Sequence, residues 1–251
     1  MTGLVSTTRH GRVLVVAMQR EHKRNAVDRG LADAIDAALA EVDDDPDVWV
    51  GVLTGTPMVF SAGSDLTSNG DYVTERGGEY GVIRRERRKP LIAAVEGNAL
   101  GGGFEIVLAC DLVVASRTAR FGLPEVSRGV TPTCGALFRG PQALPLNLAR
   151  EMILTGTPVD ADRLHAAGVV NVLTEPGQAV DGAIALAERI CANAPLSVQA
   201  CLRAVNELTA IHNHQGWAAT DQASQAIRGT HDVQEGVRAF LEKRAPEWTG
   251  S

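Results

Sequence analysis

The sequence contains few aromatic residues and no long hydrophobic run. Aromatic residues make up only 4% of its 251 residues, whereas hydrophobic residues make up 45%, so aliphatic side chains must fill any core. No apolar stretch approaches the roughly 18 residues that a membrane-spanning helix needs. The N-terminal stretch has no apolar run of signal-peptide length after a basic start. We therefore expect a soluble, cytoplasmic protein with a large aliphatic core and no membrane partner.

The sequence also lacks the patterns of a metal site and of a nucleic-acid binder. Its four cysteines, Cys110, Cys134, Cys191 and Cys201, are widely spaced and form no CxxC pair. We interpret them as reduced packing residues and expect no metal ion. The formal net charge of −6 disfavours a general nucleic-acid partner.

Hydrophobic patterning predicts an α/β fold in the first half of the chain. Short apolar stretches at 12–18, 48–55, 90–97 and 112–116 are typical of buried strands. Residues 28–45 carry apolar side chains at helical spacing, and an aspartate stands at the N-cap position. This alternation favours parallel strands joined by helices.

From about residue 141 onwards, the pattern becomes mainly helical. The late helices carry apolar faces that one small core does not obviously bury. These faces either form a subunit interface or pack on the body of the protein, and the pattern alone leaves both interpretations open.

Three consecutive glycines, Gly101–Gly103, stand between an apolar strand and a helix in GNALGGGFEIVLACD (97–111). The first N–H groups of a helix lack internal partners and attract negative charge. A P-loop and a dinucleotide fingerprint are both excluded, because neither the Lys-Ser/Thr pair nor the third glycine is present. A second glycine turn, FSAGSDL (60–66), also follows a strand. The two turns could form an oxyanion hole, and a tight structural turn is the alternative.

Two glutamates accompany these glycine turns. Glu105 follows the three glycines, and Glu125 follows a proline in ARFGLPEVSRG (119–129). Paired carboxylates can hold one water molecule and share proton transfers with it. The alternative makes Glu125 a surface acid and Glu105 a partner of a nearby backbone group.

Taken together, stretches along nearly the whole chain resemble the enoyl-CoA hydratase/isomerase, or crotonase, superfamily. The resemblance implies a crotonase-like α/β spiral of repeated ββα units over residues 1–195. It also implies a C-terminal helical region at 196–251 that makes trimer contacts. The stretches that carry the resemblance are EHKRNAVD (21–28), VLTGTPMVFSAGSDL (52–66), KPLIAAVEGNALGGGFEIVLACDLVVAS (89–116), ARFGLPEVSRGVTP (119–132), AREMILTG (149–156) and EGVRAFLEKRAPEW (235–248).

The resemblance implies an acyl-CoA thioester substrate, whose enolate the enzyme stabilises, in a homotrimer or a dimer of trimers. Coenzyme A is part of that substrate, so no separate cofactor is expected. The implied oxyanion donors are the backbone N–H groups of Ser64 and Gly102. Phe240 and Lys243 are expected to reach the CoA site of a neighbouring subunit. The residues implied to contact substrate or CoA are Lys23, Arg24, Ala62, Ser64, Asp65, Leu66, Thr67, Gly102, Thr133, Phe240 and Lys243.

In hydratases of this superfamily two glutamates hold the reacting water, and both matching positions here are glutamate. The resemblance implies that Glu105 activates the water that attacks the β-carbon, and that Glu125 delivers a proton to the α-carbon. This favours an enoyl-CoA hydratase. The alternatives are an isomerase or another acyl-CoA lyase or hydrolase on the same scaffold, or a non-catalytic CoA-binding protein.

Two features depart from the typical hydratase pattern. Thr133 and Cys134 stand where small, glycine-like positions are usual, although the Thr133 N–H could still contact the water. The segment after the second glycine turn, which usually helps to line the acyl pocket, is short and contains RRERRK (84–89). We interpret this basic run as a solvated helix face, with binding of the CoA phosphates as the alternative.

Overall fold

The computed structural model describes residues 3–67, 70–211 and 213–251. The strands are β1 (Val5–His10), β2 (Val13–Met18), β3 (Val50–Thr54), β4 (Val59–Ser61), β5 (Val73–Thr74), β6 (Gly78–Glu79), β7 (Leu91–Val95), β8 (Asn98–Leu100), β9 (Leu112–Ser116), β10 (Arg120–Gly122), β11 (Val159–Asp160) and β12 (Val172–Thr174). The helices are α1 (Arg29–Asp44), α2 (Gly102–Ala109), α3 (Ala136–Ala143), α4 (Leu146–Thr155), α5 (Ala161–Ala166), α6 (Ala179–Cys191), α7 (Pro195–Ala210), α8 (Asn213–Ile227) and α9 (His231–Glu242). Short 3₁₀ helices span Glu21–Lys23 and Pro124–Arg128.

The strands form two main sheets that the chain visits alternately. The larger sheet has the order β1-β2-β3-β7-β9-β12, and all its pairs are parallel except β1–β2. The smaller sheet has the order β11-β10-β8-β4. Each turn of the chain adds one strand to each sheet, as β3 with β4, β7 with β8 and β9 with β10, and α2 follows the second pair. The predicted α/β spiral of ββα units is confirmed.

The core is aliphatic, as the composition predicts. Strands β3 and β7 are buried along their whole length, and α6 packs the small side chains of Ala183 and Ala187 against one face of the larger sheet. On α1 the predicted N-cap is present, because Asp28 Oδ1 accepts a hydrogen bond from the Leu31 N–H at 2.9 Å. The strongly patterned elements therefore form where the sequence indicates.

The basic run at 84–89 is not a solvated helix face, and that prediction is wrong. The segment is not helical. The Arg85 side chain is fully buried between Asp36 and Asp43 of α1, and Lys89 donates to two carbonyl oxygens at the C-terminal end of that helix. Because α1 presents acidic and carbonyl groups to this segment, Arg85 and Lys89 hold the chain against α1, whereas Arg84 and Arg88 remain exposed.

The C-terminal helices differ in how they contact the body. Helix α7 has no buried residue, and the large apolar side chains of Leu196, Val205 and Leu208, with that of Ile211 at its C-cap, are exposed. By contrast, α8 packs on α3, and α9 packs on the 3₁₀ helix at 124–128. These exposed apolar side chains therefore do not pack on the body, whereas the division of the chain at 195/196 stays a prediction.

All four cysteines are free; Cys134 is buried, and Cys201 is exposed on α7 instead of packing in a core. Over the described ranges, no cluster of three or more His, Cys, Asp or Glu side chains has an arrangement that could bind a metal ion. None of the helices in these ranges combines the length and the hydropathy that a bilayer crossing requires.

Candidate active site

The two glycine turns that the sequence singles out lie in contact with each other. A Cβ atom built on Gly63 would lie only 2.6 Å from the Gly102 nitrogen, and one built on Gly103 would lie 2.1 Å from the Ser61 carbonyl oxygen. Gly63 and Gly101 also adopt positive φ angles of 87° and 57°, which side chains disfavour. The glycines are therefore needed for the close approach of the two turns.

The predicted oxyanion donors, the N–H groups of Ser64 and Gly102, lie at this contact. Gly102 is the first residue of α2, so its N–H has no acceptor within the helix. Ser64 pairs with Val27 in a parallel bridge whose hydrogen bonds are donated by the N–H groups of Val27 and Asp65. The Ser64 N–H lies outside that pairing. Neither the α2 hydrogen bonds nor the bridge therefore uses these two N–H groups, and their role as oxyanion donors stays a prediction.

Glu105 lies in the first turn of α2 and is 2% exposed. Its Oε1 accepts hydrogen bonds from the Cys134 N–H at 2.8 Å and from the Ala136 N–H at 3.0 Å. Burial raises the pKa of Glu105 to about 7, against the opposing effect of these two donors. The N–H groups at and just before the start of α3 thus hold the carboxyl group in one orientation, and burial shifts its titration towards neutral pH.

Glu125 reaches the same glycine turn from the 3₁₀ helix at 124–128. A Cβ atom on Gly101 would lie 3.3 Å from Glu125 Oε1. The Oε2 atom is buried and has no hydrogen-bond partner in the part of the chain that the structure describes. Burial, and then the nearby Glu105 carboxylate, raise the pKa of Glu125 to about 8. The alternative of a surface acid is therefore excluded.

The predicted CoA-contact residues before the first glutamate lie on two joined loops. The Arg24 carbonyl oxygen accepts a hydrogen bond from the Ala62 N–H at 3.0 Å, which ties the basic loop to the second glycine turn. Asp65 is buried, and its Oδ1 accepts from the N–H and the hydroxyl of Thr67. The predicted contact residues that remain exposed on these loops are Lys23, Arg24, Leu66 and Thr67.

The remaining predicted contact residues lie elsewhere. Thr133 is exposed and directly precedes Cys134, whose N–H binds the first glutamate. Phe240 of α9 packs its ring 4.4 Å from the Arg128 guanidinium, so α9 covers the 3₁₀ helix of its own chain. Lys243 is exposed at the end of α9. The reach of Phe240 and Lys243 into a neighbouring subunit stays a prediction.

Sequence reasoning missed three components of this site. The N–H groups that bind Glu105 come from Cys134 and Ala136, whereas the sequence pointed only to Thr133 as a backbone donor. Tyr80 was not identified either, although its Oη lies 2.7 Å from Ser64 Oγ. The sequence feature that could have pointed to Tyr80 is that both tyrosines of the chain, Tyr72 and Tyr80, lie in the segment after the second glycine turn.

Two glycine turns in contact at a helix N-terminus, with two carboxyl groups of raised pKa beside them, are typical of one class of enzyme. Such a site stabilises an oxyanion while protons move to and from the reacting molecule. Residues 8–251 match the family described as enoyl-CoA hydratase/isomerase. The chain belongs to this family.

Similar proteins match over nearly their whole length. A mevalonyl-coenzyme A hydratase of Aspergillus fumigatus is 37% identical, over 95% of this chain and 92% of the relative. An enoyl-CoA hydratase of Mycobacterium tuberculosis is 36% identical, over 96% of this chain and 94% of the relative. The crystal structure of a carnitinyl-CoA hydratase from Mycobacterium avium covers 100% of both chains at 38% identity, with a TM-score of 0.94.

Proposed function

We propose that this enzyme adds water across the double bond of a trans-2-enoyl-CoA thioester. It is a hydratase of the hydro-lyase type, as full-length relatives named enoyl-CoA hydratase support, among them a short-chain-enoyl-CoA hydratase of Clostridium acetobutylicum at 33% identity. The observation that carries the proposal is the presence of Glu105 and Glu125, both with raised pKa, beside the two glycine turns. One shuttling carboxylate is enough for an isomerase, so the pair favours hydration.

The proposed reaction has two steps. Glu105 takes a proton from water while the water oxygen forms a bond to the β-carbon. The π electrons of the double bond move towards the thioester, where the N–H groups of Ser64 and Gly102 stabilise the enolate oxygen. Glu125 then gives its proton to the α-carbon, which yields the 3-hydroxyacyl-CoA. The charges balance because Glu105 gains one proton from the attacking water and Glu125 loses one proton to the α-carbon, and proton exchange with solvent restores both groups.

The raised pKa values support this division of roles. Two backbone N–H groups favour the ionised form of Glu105, whereas the neighbouring Glu105 carboxylate and burial favour the protonated form of Glu125. The group that keeps its proton is suited to donate it, and the group that ionises first is suited to act as the base.

A turnover assay tests the proposed function. We expect the purified protein to hydrate at least one substrate among crotonyl-CoA, longer-chain and branched 2-enoyl-CoAs in buffer with EDTA, measured by the loss of enoyl-thioester absorbance. Because Glu105 must be ionised and Glu125 protonated, kcat/KM should rise with pH through about 7 and fall through about 8. Absence of turnover across the panel, with CoA-ester binding intact, would favour the non-catalytic alternative.

We propose that the chain assembles as a trimer or a dimer of trimers through α7. The helix and its C-cap expose four large apolar side chains, at 57–77% exposure, and burial of these side chains against a second copy would stabilise the assembly. Light scattering at micromolar concentration should give a mass of three or six chains. Leu208→Glu should weaken the assembly because it places a charge among these apolar side chains. Arg203→Glu is the control: it changes a charge on the same helix but outside the apolar side chains, so the assembly should persist. A stable wild-type monomer would refute the proposal.

The proposal for this enzyme also covers the CoA site, the cofactor requirement and the location of the enzyme. Phe240 and Lys243 of one subunit contribute to the CoA site of the next. The reaction needs no separate cofactor, since coenzyme A enters and leaves as part of the substrate. The enzyme acts in the cytoplasm.

A further inference from the structure

Tyr80 lies between the two glycine turns and contacts both. It is 1% exposed, and its Oη forms a 2.7 Å hydrogen bond with Ser64 Oγ. A Cβ atom built on Gly102 would lie 2.3 Å from Tyr80 Oη and 2.7 Å from its Cε2 and Cζ. The end of the phenol ring therefore fills the space that a side chain at position 102 would need. It packs on one oxyanion residue and hydrogen-bonds the other.

The backbone of Tyr80 has a conformation that its side chain disfavours. Its φ angle is +57°, which is unusual for a bulky residue. Such conformations persist only where the surroundings determine them, and they cluster at functional sites. Here the Tyr80 N–H donates to the Tyr72 carbonyl oxygen at 2.9 Å, and the two tyrosine rings contact each other at a tilt of 42°, with centroids 4.7 Å apart. The turn is thus built so that one ring reaches the glycine turns.

The turn itself is fixed to the body of the protein. The Arg84 N–H donates to the Gly77 carbonyl oxygen at 2.9 Å. A Cβ atom on Gly81 would lie 2.5 Å from the Ala32 carbonyl oxygen, so the chain after Tyr80 packs directly on α1. A side chain mounted on such a turn has little freedom to follow a movement of the glycine turns.

We propose that Tyr80 is a positioning residue of the oxyanion hole, which sets the separation of the Ser64 and Gly102 N–H groups by contacting both residues. The inference rests on the proposed function, because it assigns a geometric task to the donors of that reaction. Oxyanion donors act at about 2.7–3.1 Å from the developing charge, and a displacement of about 1 Å can cost about 10²-fold in rate. Burial raises the pKa of the Tyr80 phenol well above its ordinary value, so the hydroxyl stays protonated throughout the working pH range.

Tyr80→Phe removes the hydroxyl and keeps the ring. We expect kcat to fall about 10-fold while KM stays within about threefold, because the donors lose their spacing but the substrate contacts remain. The absorbance of bound hexa-2,4-dienoyl-CoA provides a second readout, since polarisation of the thioester carbonyl shifts its maximum to longer wavelength. This shift should be smaller in Tyr80→Phe than in the wild type. It needs binding but not turnover, so it tests Tyr80 separately from the proposed hydration.

A double-mutant cycle that combines Tyr80→Phe with Ser64→Ala tests whether Tyr80 acts through Ser64. This variant removes Oγ and keeps the backbone N–H, so it should reproduce part of the Tyr80→Phe effect, and the double variant should lose less than the product of the single losses. Thr54→Val is the matched control, because it deletes another buried hydroxyl that makes a 2.8 Å hydrogen bond, to Ala94 O. It should change neither kcat nor the absorbance shift.

Three results would overturn the inference. The first is a wild-type kcat and absorbance shift in Tyr80→Phe. The second is full multiplication of the two single losses in the double variant. The third is an equal loss in Thr54→Val, which would show a general effect of stability. If Tyr80→Phe does not fold, an unchanged absorbance shift in Ser64→Ala overturns the inference by itself, and a reduced shift supports it.

Discussion

Replacing Glu105 by glutamine is expected to lower kcat by about 10²–10⁴-fold, the usual contribution of a general acid or base. Glutamine has almost the same shape, and its side-chain oxygen can still accept the Cys134 and Ala136 N–H groups that hold Glu105 Oε1. Only the ability to take a proton from water is lost. Binding of the CoA ester should therefore remain within a few fold of the wild type.

Glu125→Gln should lower kcat by a similar factor, because it removes a proton donor where Glu105→Gln removes a proton acceptor. The amide cannot deliver a proton to the α-carbon, although it fills the same buried space beside Gly101. The double variant should lose much less than the product of the two single losses, because both acids act in one reaction coordinate. Stopped-flow or steady-state measurement of kcat with the best enoyl-CoA of the panel gives these ratios.

Glu96→Gln is a matched control for the first substitution. Glu96 also accepts two backbone N–H groups, from Gly177 and Ala179, but it lies outside the candidate site. Its replacement should leave kcat within about twofold. Near-normal turnover in both catalytic variants would refute the hydratase mechanism. A loss confined to Glu125→Gln would favour isomerisation, in which one carboxylate moves a proton between the α- and γ-carbons.

The second large effect is expected at Gly102, where alanine and proline separate two contributions. Both residues introduce a Cβ atom that would collide with Tyr80, at 2.3 Å from its Oη. Proline additionally deletes the N–H, and at position 102, the first of α2, it breaks no hydrogen bond within the helix. The ratio of kcat between Gly102→Ala and Gly102→Pro should be about 10²–10³, the usual value of one oxyanion donor.

Circular dichroism and thermal unfolding must accompany both Gly102 variants, so that a folded population is confirmed before rates are compared. Equal kcat values in the folded alanine and proline variants would show that the Gly102 N–H is not a donor. In that case the steric contact with Tyr80 would account for the whole loss.

Local patterns were sufficient to predict the elements that carry the fold. The apolar stretches predicted as strands contain β2, β3, β7 and β9, because a buried parallel strand needs a continuous apolar run. Helix α1 also begins after the predicted aspartate cap. The position of the first glutamate near the start of a helix could be predicted as well, since three glycines between an apolar strand and an acid indicate a helix N-terminus.

Contacts between distant segments could not be predicted in the same way. The basic run at 84–89 has the composition of a solvated surface, and only the fold brings Arg85 between Asp36 and Asp43. Tyr80 has a positive φ that its residue type disfavours, so local propensity predicts the wrong conformation. In both cases tertiary packing overrides the preference of the isolated segment.

The burial of Glu105 also affects the folding equilibrium. Its pKa is about 7 in the folded chain, against an ordinary value of 4.5, so the folded state binds the proton more tightly than the unfolded state. The free energy of unfolding is therefore unaffected below pH 4.5, where both states are protonated, and decreases as the pH rises from 4.5 to about 7. At roughly 1.4 kcal/mol per pKa unit, the full decrease is about 3 kcal/mol. That is a large share of the 5–15 kcal/mol by which folded proteins are typically stable. The same burial that prepares the base for reaction thus makes the enzyme less stable at the pH where it works.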